Sequence, residues 1–203
     1  MPERNGQLLV VAPDSGAPVI SFDPGLRGLH AIFALPTAFL DAPPTEQLPW
    51  FRQRVYPQAT ELHRDEDVRA MTWTRARALV EAGHRICSHG TSHMRIDAST
   101  PAAVVLDEVQ ASRATLEQRV PHAVVDGFCW PIRFDPAAAE AERLVRDTYA
   151  YALCGESGTL RRADDPYRIR RTNIEVSWPV EVVDLQLSGL VDVRFALQRL
   201  MSK

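Results

Sequence analysis

From Thr72 to Ser177 helix signals alternate with strand signals, and this alternation constrains the fold more tightly than anything else in the chain. Thr72 can cap a helix carrying Trp73, Ala76, Leu79 and Val80 on one face; Gly83 ends it, and His84 to Ser88 follows as a strand. Ser99 and Pro101 open a second helix with Val105, Val109, Ser112 and Leu116 along one stripe, ahead of a buried strand from Ala123 to Trp130. Asp135-Pro136 starts an alanine-rich helix to about Tyr149, Tyr151 to Cys154 reads as a strand, Arg168 to Val176 as another, and Ser177 as the cap of a final helix. Strands joined through helices lie parallel. The pattern therefore predicts an α/β fold with a mainly parallel sheet, open or closed into a barrel, and reactive loops at the carboxyl ends of the strands.

The first third is less regular. Gln7 to Ala12 and Pro18 to Asp23 read as short apolar strands split by the turn Pro13-Asp14-Ser15-Gly16, and His30 to Pro36 as a third. From Ala42 to Ala70 the chain is polar and proline-bearing, with Trp50, Phe51 and Tyr56 interspersed. This predicts a long surface excursion with little regular structure, either walling a groove or anchored to the body by its aromatics.

At 203 residues and without a Pro/Gly/Ser-rich linker, residues 1–203 read as a single domain with a real core. The net charge of -3, with both signs mixed along the chain, offers no electrostatic footprint for nucleic acid or an anionic membrane. The apolar stretch after Met1 to Gly6 is too short for a secretory signal, and no run approaches the roughly 20 apolar residues of a membrane span. A cytoplasmic location is the expectation. Cys87, Cys129 and Cys154 are odd in number and sit in apolar surroundings, which suits reduced core thiols.

Chemistry concentrates in Cys87-Ser88-His89-Gly90-Thr91-Ser92-His93, where a strand gives way to a loop. Two neutral imidazoles at this spacing can converge on one cation if the backbone curls; otherwise they are ordinary polar loop residues. Gly90 and the small polar residues around the pair favour a loop over a helix face.

Several segments taken together carry a resemblance. They are Val19 to Gly25, Ala31 to Asp41, Met71 to Trp73, Glu81 to His89, Ser112-Arg113, Leu116-Glu117, Phe128 to Pro131 and Asp165 to Arg171. In order and phrasing they resemble the NodB-like polysaccharide deacetylases of carbohydrate esterase family 4. The resemblance implies a distorted or partly open (β/α) barrel that removes N-acetyl groups from N-acetylhexosamine units of a polysaccharide or glycan precursor. It also implies one divalent ion, by expectation zinc, and an N-acetylated glycan as the partner. Matched position by position, His89 and His93 look like metal ligands, Asp23 like the carboxylate base, and Arg171 like the arginine that holds that base ionised and oriented. Trp130 and Pro131 correspond to the segment lining the substrate groove, and the backbone N–H of Ile132 to an oxyanion donor.

Read from the residues alone, each assignment has a plainer alternative. Asp23 before Pro24-Gly25 suits a turn, Trp130 suits the core, and Arg171 belongs to an arginine-rich stretch that suits a solvated face. The chain also departs from the family at three points. Pro24 stands where a second carboxylate is expected and cannot bind a cation, which predicts a weakened metal site. Only Pro24 to Leu29 separate the two strands that a helix usually connects, so the first crossover helix is missing and a hairpin or altered edge is expected. No histidine follows His122 to act as the acid, leaving His30, His63 or His84 as substitutes. Two readings of different class follow, a hydrolase and a non-catalytic descendant that binds a glycan or a protein partner. A third is an amidohydrolase acting on a small non-sugar amide.

Overall fold

The structure is a computed structural model describing residues 8–9, 31–55, 70–156, 158, 164–172 and 179–188. Six strands run parallel in sequential order: β1 (Leu8–Leu9), β2 (Ala31–Leu35), β3 (Arg85–Ser88), β4 (Gly127–Cys129), β5 (Tyr151–Cys154) and β6 (Ile169–Arg170). Among the described residues β1 and β6 do not pair, so the sheet is a partly open (β/α) barrel. Its neighbour relations are fixed by register, with Phe33 opposite Ile86, Ser88 opposite Phe128 and Phe128 opposite Ala152.

The two-residue side-chain period of a strand separates two environments. Phe33, Leu35, Ile86 and Phe128 face the helices and join the main core with Leu79, Val109, Leu116 and Val145. The alternate positions Ala34, Cys87, Cys129 and Leu153 form a second, smaller apolar cluster with Ile32, Tyr151 and Ile169. All three cysteines are reduced and buried. Burial pushes the Cys154 thiol up to about 12, with Glu156 adding to it, so this sulfur is protonated at neutral pH and is no poised nucleophile.

The expected helices form, with instructive differences. α3 (Trp73–Glu81) is capped as predicted, the Thr72 side chain accepting from Arg75 N at 3.2 Å. The second helix is continuous in direction but not in kind: α4 (Ala102–Leu106) and α5 (Ser112–Arg119) flank a π-helical segment, Asp107–Ala111. α6 begins at Ala139, not at Asp135-Pro136, because Asp135 builds a turn that accepts from Ala137 N at 2.9 Å. The last helix, α7 (Val180–Leu187), has Pro179 at its N-cap, so Ser177 is not its cap.

The excursion after β2 is more ordered than expected. α1 (Thr37–Asp41) leads into it and α2 (Pro44–Arg54) occupies its start, with Pro44 at the first position of α2, where a missing N–H costs nothing. Leu48 and Phe51 of α2 are buried, and the ring of Trp50 stacks on Phe39 at 4.5 Å. Burial of one apolar face stabilises the helix despite Pro49 within it. Tyr56 and the remainder of the excursion to residue 69 lie outside the described residues, as do the strand expected at Pro18 to Asp23 and its link to β2. The described edge neighbour of β2 is Leu8–Leu9, parallel, and residues 10–30 are long enough for such a crossover.

A partly buried polar buckle ties α6 to the approach of β6. Arg146 bonds both Glu142 and Asp165, and Arg168 bonds Glu142 at 2.9 Å. The two guanidinium groups lie over Tyr167 and Phe134 at 4.6 and 5.0 Å. The Arg146 hydrogen bond holds the Asp165 carboxyl below its ordinary range. At Glu142 burial pulls upward, but Arg168 and Arg146 outweigh it and the carboxyl is again lowered. A folded pKa below the unfolded one gives stability above the ordinary carboxylate range that is lost as pH falls through it. Urea unfolding should therefore show lower stability at pH 3.5 than at pH 7. Because the groups are partly solvent-screened, this buckle should account for about 1 kcal/mol or less of that loss. Glu142→Gln should flatten the acid limb; an unchanged limb would remove the buckle from the explanation.

Candidate active site

β3 ends at Ser88, and the chain turns at the carboxyl edge of the sheet, where a parallel sheet leaves backbone groups available to loops. His89 N donates to Leu35 O at 3.2 Å, continuing the β2–β3 pairing by one residue. The loop is then stitched to α1, with Thr37 N donating to Gly90 O at 3.2 Å and Ala38 N to Thr91 O at 2.9 Å. Two otherwise unsatisfied N–H groups at the start of that helix are used to fix the histidine loop.

The two histidines lie side by side on a loop and not on a helix. Their rings are 4.7 Å apart, nearly perpendicular, and both side chains are buried, at 1% and 2% exposure. His89 Nδ1 lies 2.6 Å from Cys129 O, and His93 Nδ1 lies 3.2 Å from Arg54 O. A carbonyl oxygen only accepts, so both Nδ1 atoms carry the proton, and in the neutral rings the lone pair belongs to Nε2. A backbone carbonyl behind the ring is the usual outer partner of a metal-bound imidazole, because it fixes tautomer and orientation and raises basicity. The pair therefore fits two ligand positions of a divalent ion. Among the described residues no third His, Cys, Asp or Glu joins it. Asp23, like Pro24, lies outside the described residues.

His93 holds this place with φ +57, in the left-handed region that costs a non-glycine residue about 1–2 kcal/mol. Ile132 is the second such residue at this edge, at φ +60, and its side chain is half exposed. A β-branched residue rarely adopts that conformation, and such strain collects where surroundings over-determine the backbone. Trp130 and Pro131 precede it, both buried. The indole of Trp130 packs in the core at 5.1 Å from both Phe128 and Phe134, the environment of its plainer reading. Trp130 N donates to Leu153 O at 2.9 Å. Arg171, just past β6, is buried and donates its backbone N–H to Glu156 O at 3.1 Å; it does not lie on a solvated face.

Of the substitute acids, His84 is displaced from this edge. It precedes β3, five residues from His89, about 16 Å away along an extended strand. Its Nδ1 accepts from Ala31 N at 3.3 Å, the opposite tautomer to His89, and its ring meets Phe33 edge-on at 5.8 Å. His30 and His63 lie outside the described residues.

Sequence reasoning missed Glu108. Its side chain is buried, and its carboxyl group accepts from Thr91 N at 2.9 Å, from Ser92 N at 3.1 Å and from Ser92 Oγ at 2.5 Å. The signal was available: Glu108 falls three residues after Val105 and four before Ser112, so a carboxyl group interrupts an apolar helix stripe.

The site is thus a pair of buried imidazoles at the carboxyl edge of a partly open parallel (β/α) barrel. Residues 49–145 match the polysaccharide deacetylase family model, a span that includes both histidines and excludes Asp23 and Arg171. That matched span is a little under half of the chain, and over it the sequence is similar to polysaccharide deacetylases. The fold is similar to a de-N-acetylase from Aggregatibacter actinomycetemcomitans, with 14% identity, TM-score 0.54, and coverage of 78% of this chain and 65% of that one. It is also similar to IcaB from Ammonifex degensii, with 16% identity, TM-score 0.51, and coverage of 79% and 63%. A third is BC0361, a polysaccharide deacetylase from Bacillus cereus, with 14% identity, TM-score 0.50, and coverage of 78% and 50%. The match thus spans only half to two-thirds of these longer chains. No curated protein matches the sequence. No helix among the described residues is long and apolar enough to cross a membrane.

Proposed function

We propose that this chain is a metal-dependent hydrolase that removes N-acetyl groups from N-acetylhexosamine units of a glycan. The observation that carries the reading is the pair of buried imidazoles, each with Nδ1 committed to a backbone carbonyl, on a segment that matches a deacetylase family. His89 and His93 would hold one divalent ion, zinc by expectation from their ligand type. Bound there, the ion supplies Lewis-acid polarisation and a more acidic water.

The remaining work falls to the chain itself. Asp23 is the proposed base that takes the proton from the attacking water, and Arg171 the group that keeps that carboxylate ionised and oriented. The backbone N–H of Ile132 is the proposed donor to the oxyanion. A donor fixed by strained backbone needs no reorganisation as charge develops, and such donors are worth about 10²–10³ in rate. Pro131 and Trp130 are the proposed lining of the substrate groove, although the Trp130 indole is buried against Phe128 and Phe134.

Pro24 favours a second reading, a non-catalytic descendant that binds a glycan or a protein partner, because one anionic ligand of the family pattern is replaced by a ring without donor atoms. One experiment separates the two. The hydrolase should retain close to one divalent ion per chain after dialysis and release acetate from short N-acetylglucosamine oligomers. Sugar binding with neither ion nor acetate would leave the binding module standing. Asp23→Asn then assigns that carboxylate: acetate lost with the ion retained makes it the base, whereas loss of the ion makes it a ligand.

A further inference from the structure

We propose that Glu108 is the positioning residue of the histidine loop, holding the backbone at 90–92 so that His93 is presented beside His89. The proposal rests on the reading of that pair as a cation site. Three loop donors converge on one buried carboxyl group: Thr91 N, Ser92 N and Ser92 Oγ, at 2.5–3.1 Å. The next residue is His93, whose left-handed backbone must be imposed from outside.

The fit is close on both sides. Gly90 has φ +77, and a Cβ there would stand 2.4 Å from Glu108 Oε2, so the loop approaches the carboxyl group as nearly as a chain can. On the helix side, Glu108 and Val109 fall within the π-helical segment, a rare form found chiefly as single-turn bulges at functional sites. Side-chain hydroxyls engage the carbonyls of this bulge. Ser112 Oγ donates to Glu108 O at 2.6 Å, and Tyr149 Oη donates to Val109 O at 2.7 Å. Thr91 Oγ1 adds a bond to Asp107 O at 2.9 Å, and Gly90 N donates to Ser88 Oγ, itself 2.7 Å from Ser112 Oγ. Bulge and loop are therefore one polar unit set into an apolar core. A carboxyl group is costly at such a position unless its bonds are made, and here they are made to the loop that carries the histidines.

The test uses Glu108→Gln, which keeps the volume but turns an NH₂ group toward N–H donors. In ion-free protein, amide hydrogen exchange at Thr91 and Ser92 should accelerate at least about tenfold, while amides of β4 and β5 keep their protection. Zn(II) affinity, read by competition with a chelating dye, should fall about 10–100-fold, the usual effect of losing an outer-shell partner. Ser92→Ala removes one donor at a half-buried site and should give a smaller loss of the same kind if Glu108→Gln does not fold. Unchanged exchange at Thr91 and Ser92 overturns the proposal, and so does faster exchange with full Zn(II) affinity. Exchange raised equally in β4 and β5 would mean general stability only, and overturns it too. Wild-type protein that takes up no Zn(II) would sink the hydrolase reading instead, and exchange alone would then decide what Glu108 does to the loop.

Discussion

His89→Ala should lower Zn(II) affinity at least about 100-fold and remove acetate release with it. Outer partners of a metal-bound histidine already cost about 10–100-fold when lost, so deletion of a ligand sets a higher floor. His93→Ala should act in the same direction. The mutants differ in their structural surroundings: His89 is anchored to Cys129 O at the end of β4, whereas His93 is anchored to Arg54 O at the end of α2. Dialysed protein assayed for bound metal gives the ion count independently of any substrate. A fully metallated His89→Ala protein would exclude this ring as a ligand.

Trp130→Ala should destabilise the protein by about 3–5 kcal/mol, the range for deleting a large buried aromatic, as read by urea unfolding. The indole is 1% exposed, contacts Phe128 and Phe134, and belongs to the core between sheet and helices. Its Nε1–H is buried with no hydrogen-bond partner among the described residues. Trp130→Phe gives up volume but also an unsatisfied donor, so it should cost much less than alanine. Glycan affinity should be retained by Trp130→Phe if the ring serves the core, and lost if the ring is a sugar platform.

The strong local signals in the sequence translated directly into structure. Thr72 caps α3, Tyr151–Cys154 is a strand with the predicted bounds, and the parallel order follows from helix–strand alternation. That the two histidines sit on a loop was legible because Gly90 and its small neighbours favour a loop over a helix there. What escaped depends on tertiary contacts. α2 has two prolines and a polar composition, and only the burial of Leu48 and Phe51 makes it helical. The π-helical segment cannot be seen in a periodicity that Val105, Val109, Ser112 and Leu116 satisfy equally well as ordinary helix. Glu108 is buried, and its position among Val105, Val109 and Ser112 is the one sequence mark of that burial. The left-handed backbones of His93 and Ile132 carry no sequence mark, since neither residue type favours that conformation strongly enough to announce it.

The carbonyl that receives His93 Nδ1–H belongs to Arg54, the final residue of α2, where the aligned peptide dipoles present their negative pole. That pole draws the ring proton outward and enriches Nε2 in electron density. A peripheral excursion thereby sets how strongly a central nitrogen donates. If His93 is the ligand proposed above, a change confined to α2 would alter that donation with the histidine loop itself untouched.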